Sequence, residues 1–204
     1  VLEMEISGAK LMNGYLATFI DVTKRNTAQR ELNRIAMMDN LTKLPNRMYI
    51  ESLRDRFLAK LKRDQGFGAY MVIDLDHFKQ LNDLYGHFAG DHLLVLMGTL
   101  LDEACRSQDC AVRWGGEEFV WLLPNADLTT TLQRAEQLRC RFTAENFSWY
   151  GEQISATFSA GCSCGRLDAE GSLSSKQQLL LLLQQADDAL YQAKQQGRNR
   201  VMAG

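Results

Sequence analysis

Apolar positions along the chain change period several times, and each change marks an element. Val1 to Ile6 and Tyr15 to Val22 read as strands joined by a turn-rich stretch with Gly8 and Asn13-Gly14. Two strands alone make no stable domain, so they are expected to be the tail of a larger sheet. A polar helix follows, capped by Asp21 or Thr23, with Ala28, Leu32 and Ile35 at the spacing of a narrow apolar seam. Such a seam suits either a linker helix lying on its own domain or a parallel dimer contact, and its nearly all-polar flanks favour the dimer contact. Residues 39–47 break the helix at Pro45, and helical periodicity returns from Tyr49 to Leu61.

Ala69 to Leu75 is an apolar run of strand length that ends in carboxylates, Asp74 and Asp76, two residues apart and so on one face. Helices are expected from His77 to Leu84 and from Gly90 to Ala104. Next come two strands, Cys110 to Trp114 and Phe119 to Leu123, around Gly115-Gly116-Glu117-Glu118, which predicts a hairpin with the glutamates at its tip. Side chains of neighbouring strand residues diverge, so a turn or bulge at the glycine pair is needed for both to reach one site. Asp127 to Arg141 reads as an amphipathic helix, and Phe147 to Cys164 as a second hairpin turning near Gly151. Lys176 to Gln196 reads as a long helix closed by Gly197, and Arg200 to Met202 as a short last strand. This order predicts an α+β fold, a mainly antiparallel sheet layered with helices.

With 204 residues and 46% hydrophobic content, the chain can bury one substantial core. A net charge of −2 excludes the basic footprint of a nucleic-acid binder, so any phosphate-binding groups must be local. The longest apolar runs, Leu93 to Met97 and Leu179 to Leu183, fall far short of the about 18 residues of a membrane span. No signal peptide is visible, and a start on Val1 predicts an excerpt of a longer chain. Five cysteines without a CxxC pair predict reduced thiols and a cytoplasmic protein.

Asp74 with Glu117 and Glu118 makes an oxygen-only donor set suited to Mg²⁺ or Mn²⁺ if their strands are neighbours. Such ions clamp the attacking and leaving oxygens of phosphoryl or nucleotidyl transfer. Lys194 and Arg198, four apart at the end of the last helix, are the positive counterpart.

Five separated stretches, DNLTKLPNR (39–47), IDLDHFKQLNDLYGHFAGD (73–91), RWGGEEF (113–119), SAGCS (159–163) and ADDALYQAKQQGRNRV (186–201), resemble GGDEF domains. These are the diguanylate cyclases that join two GTP molecules into cyclic di-GMP. The resemblance covers about residues 39–202 and implies a palm-like, nucleotidyl-cyclase-like fold. It also implies a homodimer for catalysis, with two metal ions per half-site when substrate is bound. By that resemblance Asp74, the Leu75 main-chain carbonyl and Glu118 hold the metal, while Glu117 activates the 3′-hydroxyl; both glutamates are candidates for either role. Main-chain N–H groups around His77 and Phe78 receive phosphates, Asn82 and Asp91 read guanine, and Lys194 and Arg198 hold the β and γ phosphates. An ionised Asp91 is acceptor-only, which suits the N1–H and N2–H₂ edge of guanine and repels adenine N1.

Arg106-Ser-Gln-Asp109 stands at the spacing of the family's inhibitory product site, RxxD. Lys43 replaces the glycine usual within the 39–47 stretch. Residues 1–22 resemble the end of a PAS sensor, which divides the chain into a sensor remnant (1–22), a signalling helix (23–38) and a GGDEF domain (39–204). A catalytically silent domain that senses nucleotide or docks a partner is the alternative function.

Overall fold

The structure, a computed structural model, describes residues 2–52, 67–145, 147–166 and 175–204. The chain divides into two compact units, Val1–Met38 and Asp39–Gly204. In the first, β1 (Met4–Leu11) and β2 (Gly14–Asp21) pair antiparallel, with Met4 opposite Asp21 and Leu11 opposite Gly14. Gly8 lies inside β1, not in the turn that the sequence suggests. Helix α1 (Thr23–Ala36) starts where the Asp21 carboxylate accepts from the Thr23 N–H at 2.9 Å. Its seam residues Leu32 and Ile35 are exposed, as are Ile6, Phe19 and Ile20 of the hairpin.

The second unit is built on a five-stranded sheet ordered β4-β5-β3-β8-β9. Its strands are β3 (Phe67–Leu75), β4 (Cys110–Gly115), β5 (Glu118–Pro124), β8 (Phe158–Arg166) and β9 (Val201–Ala203). All pairings are antiparallel except β8 with β9. Strand alternation sends Met71, Ile73, Leu75, Phe119, Trp121 and Leu123 to one face of the sheet. There they meet α3 (His87–Ala104) and α4 (Leu128–Ala144) through Leu93, Met97, Leu101, Ala135, Leu138 and Phe142. Tyr70, Val72, Val112, Val120 and Leu122 face the other way, against Leu179, Leu182, Ala186 and Leu190 of α5 (Ser175–Gln195). The runs of β3 and β5 are almost continuously apolar up to their carboxylates because both of their faces are covered.

Helix α5 lies directly on β8. A Cβ on Gly161, within the SAGCS stretch, would stand 1.9 Å from the Ala186 carbonyl oxygen and 2.3 Å from the Leu190 nitrogen. Only a residue without a side chain permits this approach, which fixes where the end of α5 sits.

In this unit three departures from the sequence pattern are larger than a shift of a few residues at an element's end. The break between α2 (Phe78–Tyr85) and α3 is Gly86 alone, whose φ of 86° both ends one helix and starts the next. Helix α3 therefore begins at His87 instead of Gly90. The run from Phe147 to Cys164 holds two separate things: a small hairpin of β6 (Phe147–Trp149) and β7 (Glu152–Ile154), and the central strand β8. The helix expected over residues 49–61 is seen from 47 to 52, and its remainder lies outside the described residues. No described helix is long and apolar enough to cross a membrane.

Candidate functional site

The site forms where β3 and β5 end side by side. Asp74 stands directly opposite Glu118 in the antiparallel register, so both side chains leave the same face, the one covered by α5. A register shift between Arg113 and Gly115 bends the hairpin, and Gly116 takes the left-handed backbone (φ 45°) that favours glycine. The Leu75 N–H donates to the Glu117 carbonyl at 3.3 Å, which ties the hairpin tip to the end of β3. This bulge is the device that lets both glutamates border one site.

Electrostatics joins the three carboxylates. Burial pushes the Asp74 carboxyl above the usual range, and only the hydrogen bond and charge of Lys194 and the charge of Arg198 oppose this; Asp76 adds to it. Glu117 and Glu118 are raised first by burial and next by the charge of Asp74, again against Lys194. The Lys194 ammonium lies 2.9 Å from Asp74 Oδ2. Among the described residues no three Asp, Glu, His or Cys side chains meet closely enough to grip an ion as they stand. The donors are nevertheless all oxygen, and the cluster already draws a cation, the Lys194 ammonium, to Asp74. The residues therefore fit a hard divalent ion that would add positive charge among mutually repelling carboxylates.

Asp76 shares the buried strand end but is otherwise engaged. It accepts from Thr157 Oγ1 and Ser159 Oγ, both at 2.7 Å, and from the Asn199 N–H at 3.0 Å.

At the strand-to-helix turn His77 is left-handed (φ 57°) and is the N-cap of α2, with no side-chain capping bond. The N–H groups of the first turn of α2, which a helix leaves without intrahelical partners, lie at Phe78 and beyond. Asn82, one turn further, lies over Gly90: a Cβ there would be 1.9 Å from Asn82 Oδ1. That oxygen is buried and accepts no hydrogen bond, an unused acceptor lying against Gly90, the residue that precedes Asp91.

The 39–47 stretch buttresses the hairpin from outside. Arg113 donates to both Asp39 oxygens, and its other N–H groups reach the Gly116 carbonyl at 3.0 and 2.7 Å. Asp39 also caps Thr42 through its N–H and hydroxyl, and these bonds hold its carboxyl below the usual range despite burial. Both motifs are visible in the sequence, but their union through Arg113 is not. Lys43 adopts φ 61°, which accounts for the glycine expected at that place.

Arg106 and Asp109 close a tight turn away from the carboxylates. The Arg106 N–H donates to Asp109 Oδ2 at 2.8 Å, and the Asp109 N–H to the Arg106 carbonyl at 2.9 Å. Arg106 projects into solvent. Asp109 is turned inward, its side chain 1% exposed, with Oδ2 held by Arg134 at 2.6 Å and Oδ1 buried without a partner. Arg134 in turn lies 4.4 Å over the Trp121 ring. Arg134 has no local sequence signal, because its partner is 25 residues away on a different element.

The profile described as "Diguanylate cyclase, GGDEF domain" matches residues 36–200. The chain is 36% identical over 201 residues to diguanylate cyclase DgcP of Pseudomonas aeruginosa, covering 98% of this chain and 29% of that protein. Diguanylate cyclase DgcM of Escherichia coli K12 is likewise 36% identical over 201 residues, covering 98% and 45%. The chain thus spans less than half the length of these curated relatives. Among solved structures, the coiled coil and GGDEF domain of DgcB from Caulobacter crescentus, in complex with c-di-GMP, superposes with a TM-score of 0.78. Identity there is 26%, over 90% of this chain and 93% of that one.

Proposed function

The chain belongs to the GGDEF family of diguanylate cyclase domains, and from this we propose that it condenses two GTP molecules into 3′,5′-cyclic di-GMP and two pyrophosphates. The observation that carries the reading is the Asp74–Glu118 register with Lys194 on Asp74, a compact set of carboxylates and cations at a strand end. Each copy binds one GTP. The product has two equivalent linkages, so two copies face each other across a two-fold axis, each presenting its 3′-hydroxyl to the other's α-phosphate.

Asn82 and Asp91 accept from the guanine edge. Main-chain N–H groups at His77 and Phe78 receive phosphate oxygens, and Lys194 and Arg198 hold the β and γ phosphates that leave as pyrophosphate. Glu117 accepts the proton of the attacking 3′-hydroxyl, and the new bond from the 3′-oxygen to the α-phosphorus forms as the bond from that phosphorus to the bridging oxygen of the β-phosphate breaks, releasing pyrophosphate. Asp74, the Leu75 carbonyl and Glu118, with Glu117 beside them, would hold Mg²⁺ or Mn²⁺, which supplies Lewis-acid polarisation of the reacting oxygens when bound. Arg106, on the turn braced by Asp109, offers a guanidinium for feedback by the product. The exposed seam of α1 supports a parallel helix pair that brings two copies together, and residues 1–22 fit the end of a PAS-like sensor in a cytoplasmic protein.

Incubation with GTP and Mg²⁺, followed by chromatographic identification of the product, tests the reading. Cyclic di-GMP is the expected product. GTP bound without turnover at any protein concentration would replace it with a nucleotide-sensing or partner-binding role.

A further inference from the structure

Asp76 is 7% exposed, and its two oxygens accept three hydrogen bonds, two from hydroxyls at the start of β8 and one from the backbone of Asn199. With Oδ2 accepting two of these bonds and Oδ1 the third, both oxygens of this carboxylate are committed to the protein itself. The third bond crosses 123 residues of sequence to reach the turn after α5. That turn is unusual: Gly197, Arg198 and Asn199 have φ of 111°, 60° and 46°, so two successive residues with side chains stand in left-handed backbone. Such conformations persist only where the surroundings over-determine them, and they gather at ligand sites.

Here the surroundings are visible. Asn199 is gripped from two sides, its N–H by Asp76 and its side-chain oxygen by Arg139 of α4 at 2.6 Å. The Arg198 N–H returns to the Ala193 carbonyl at 3.0 Å, and the Arg200 carbonyl accepts from the Ala160 N–H at 2.9 Å. Arg198 is therefore an exposed cation on a turn whose next residue is held on both sides.

We propose that Asp76 is a positioning residue, which together with Arg139 clamps Asn199 and so holds the left-handed turn that presents Arg198, beside Lys194, to the phosphates. The proposal rests on the reading of Lys194 and Arg198 as ligands of the β and γ phosphates. It assigns the two carboxylates of the Asp74-Leu75-Asp76 strand end to different work: Asp74 faces the reacting groups, and Asp76 shapes the cation that meets them.

The full chain is titrated calorimetrically, with Mg²⁺, against the α,β-methylene analogue of GTP and against GMP, which lacks the β and γ phosphates. The parent chain is expected to prefer the triphosphate. Asp76→Ala is expected to lower triphosphate affinity about tenfold or more and to leave GMP affinity unchanged, with Asp76→Asn between the two. Arg139→Met removes a side chain outside the core and reaches Asn199 from the other side, so it reports even if Asp76→Ala folds poorly; a smaller loss of the same selectivity is expected. The Asn199 amide should exchange with solvent faster in both variants. Retained triphosphate preference in Asp76→Ala and Arg139→Met overturns the proposal, as does an equal loss of GMP and triphosphate, which marks a merely structural carboxylate. A parent chain with no preference for the triphosphate refutes the underlying reading before any variant is made, and the proposal falls with it.

Discussion

Arg113 and Asp39, 74 residues apart in sequence, form a two-pronged ion pair at 3.1 and 3.2 Å that fastens the tip of the β4–β5 hairpin to the loop following residue 38. The same guanidinium holds the Gly116 carbonyl, so one side chain sets the turn in which Glu117 stands. Arg113→Ala should lower stability by about 1–3 kcal/mol, because a partly buried carboxylate loses its partner. Turnover should fall by more than the change in folded fraction explains. Arg113→Lys should not restore it, since an ammonium lacks the fork that spans Asp39 and Gly116. Urea unfolding alongside steady-state kinetics checks both statements.

The raised carboxyls at the site predict opposite effects on activity and stability. A carboxyl whose folded-state pKa lies above its unfolded value carries more protons in the native chain than in the unfolded one between those two values. Stability therefore declines as pH rises through that window, and the ionised group is a cost above it. Glu118 is in this position, with burial first and Asp74 second as the causes. Glu118→Gln should abolish turnover, by a factor of about 100 or more, while raising Tm at neutral pH and flattening its decline above the ordinary carboxylate range. Thermal melts of the metal-free chain across pH measure this; a lower Tm at neutral pH would refute the electrostatic account.

Gly90 has its own test. Any Cβ there meets Asn82 Oδ1 at 1.9 Å and the Phe78 ring at 3.0 Å, so the amide must swing away. Gly90→Ala should raise KM for GTP about tenfold with a smaller change in kcat, the mark of lost ground-state binding. An unchanged KM would separate Asn82 from base recognition.

How much of this was legible in the sequence follows from which interactions are local. The strand ends at Asp74 and Glu118 are readable, because apolar runs stop at carboxylates. Their pairing is not, since register is set by the sheet as a whole. The start of α3 was misplaced because His87, Phe88 and Ala89 show no clear period, and the capping role of Gly86 depends on its backbone angle. Phe147 to Cys164 merged two structures because a single strand-like composition covers both. Arg134 on Asp109, Arg139 on Asn199 and Asp76 on the same residue join distant segments, and no local pattern announces them.

Lys43 supplies a stability prediction. A lysine at φ 61° bears a cost that glycine avoids, partly offset by the greater freedom of glycine in the unfolded chain. Lys43→Gly should stabilise the domain by up to about 1 kcal/mol without altering kinetics, and denaturant midpoints decide it.

The proposed product feedback would act through Arg106, which is exposed on a turn that Asp109 and Arg134 hold from beneath. Arg106→Ala should weaken cyclic di-GMP binding at least tenfold, as expected when a charged donor is removed from an anion, and leave GTP turnover at low product unchanged. Calorimetric titration with cyclic di-GMP reads the first effect and initial rates the second. Unchanged affinity would remove the proposed feedback site.

Gly161 sets a limit on how such a domain can be controlled. With the Ala186 carbonyl and the Leu190 nitrogen seated where a side chain would otherwise be, the rod that carries Lys194 packs backbone to backbone on the sheet, and sliding or rolling it would break that contact. An input that tried to regulate by retuning this half-site internally would have to lift the rod off its bed. On the proposed two-copy reaction, the variable left to a signal is the meeting of two finished halves, so a signal is expected to change how often they meet and to leave unchanged what each brings.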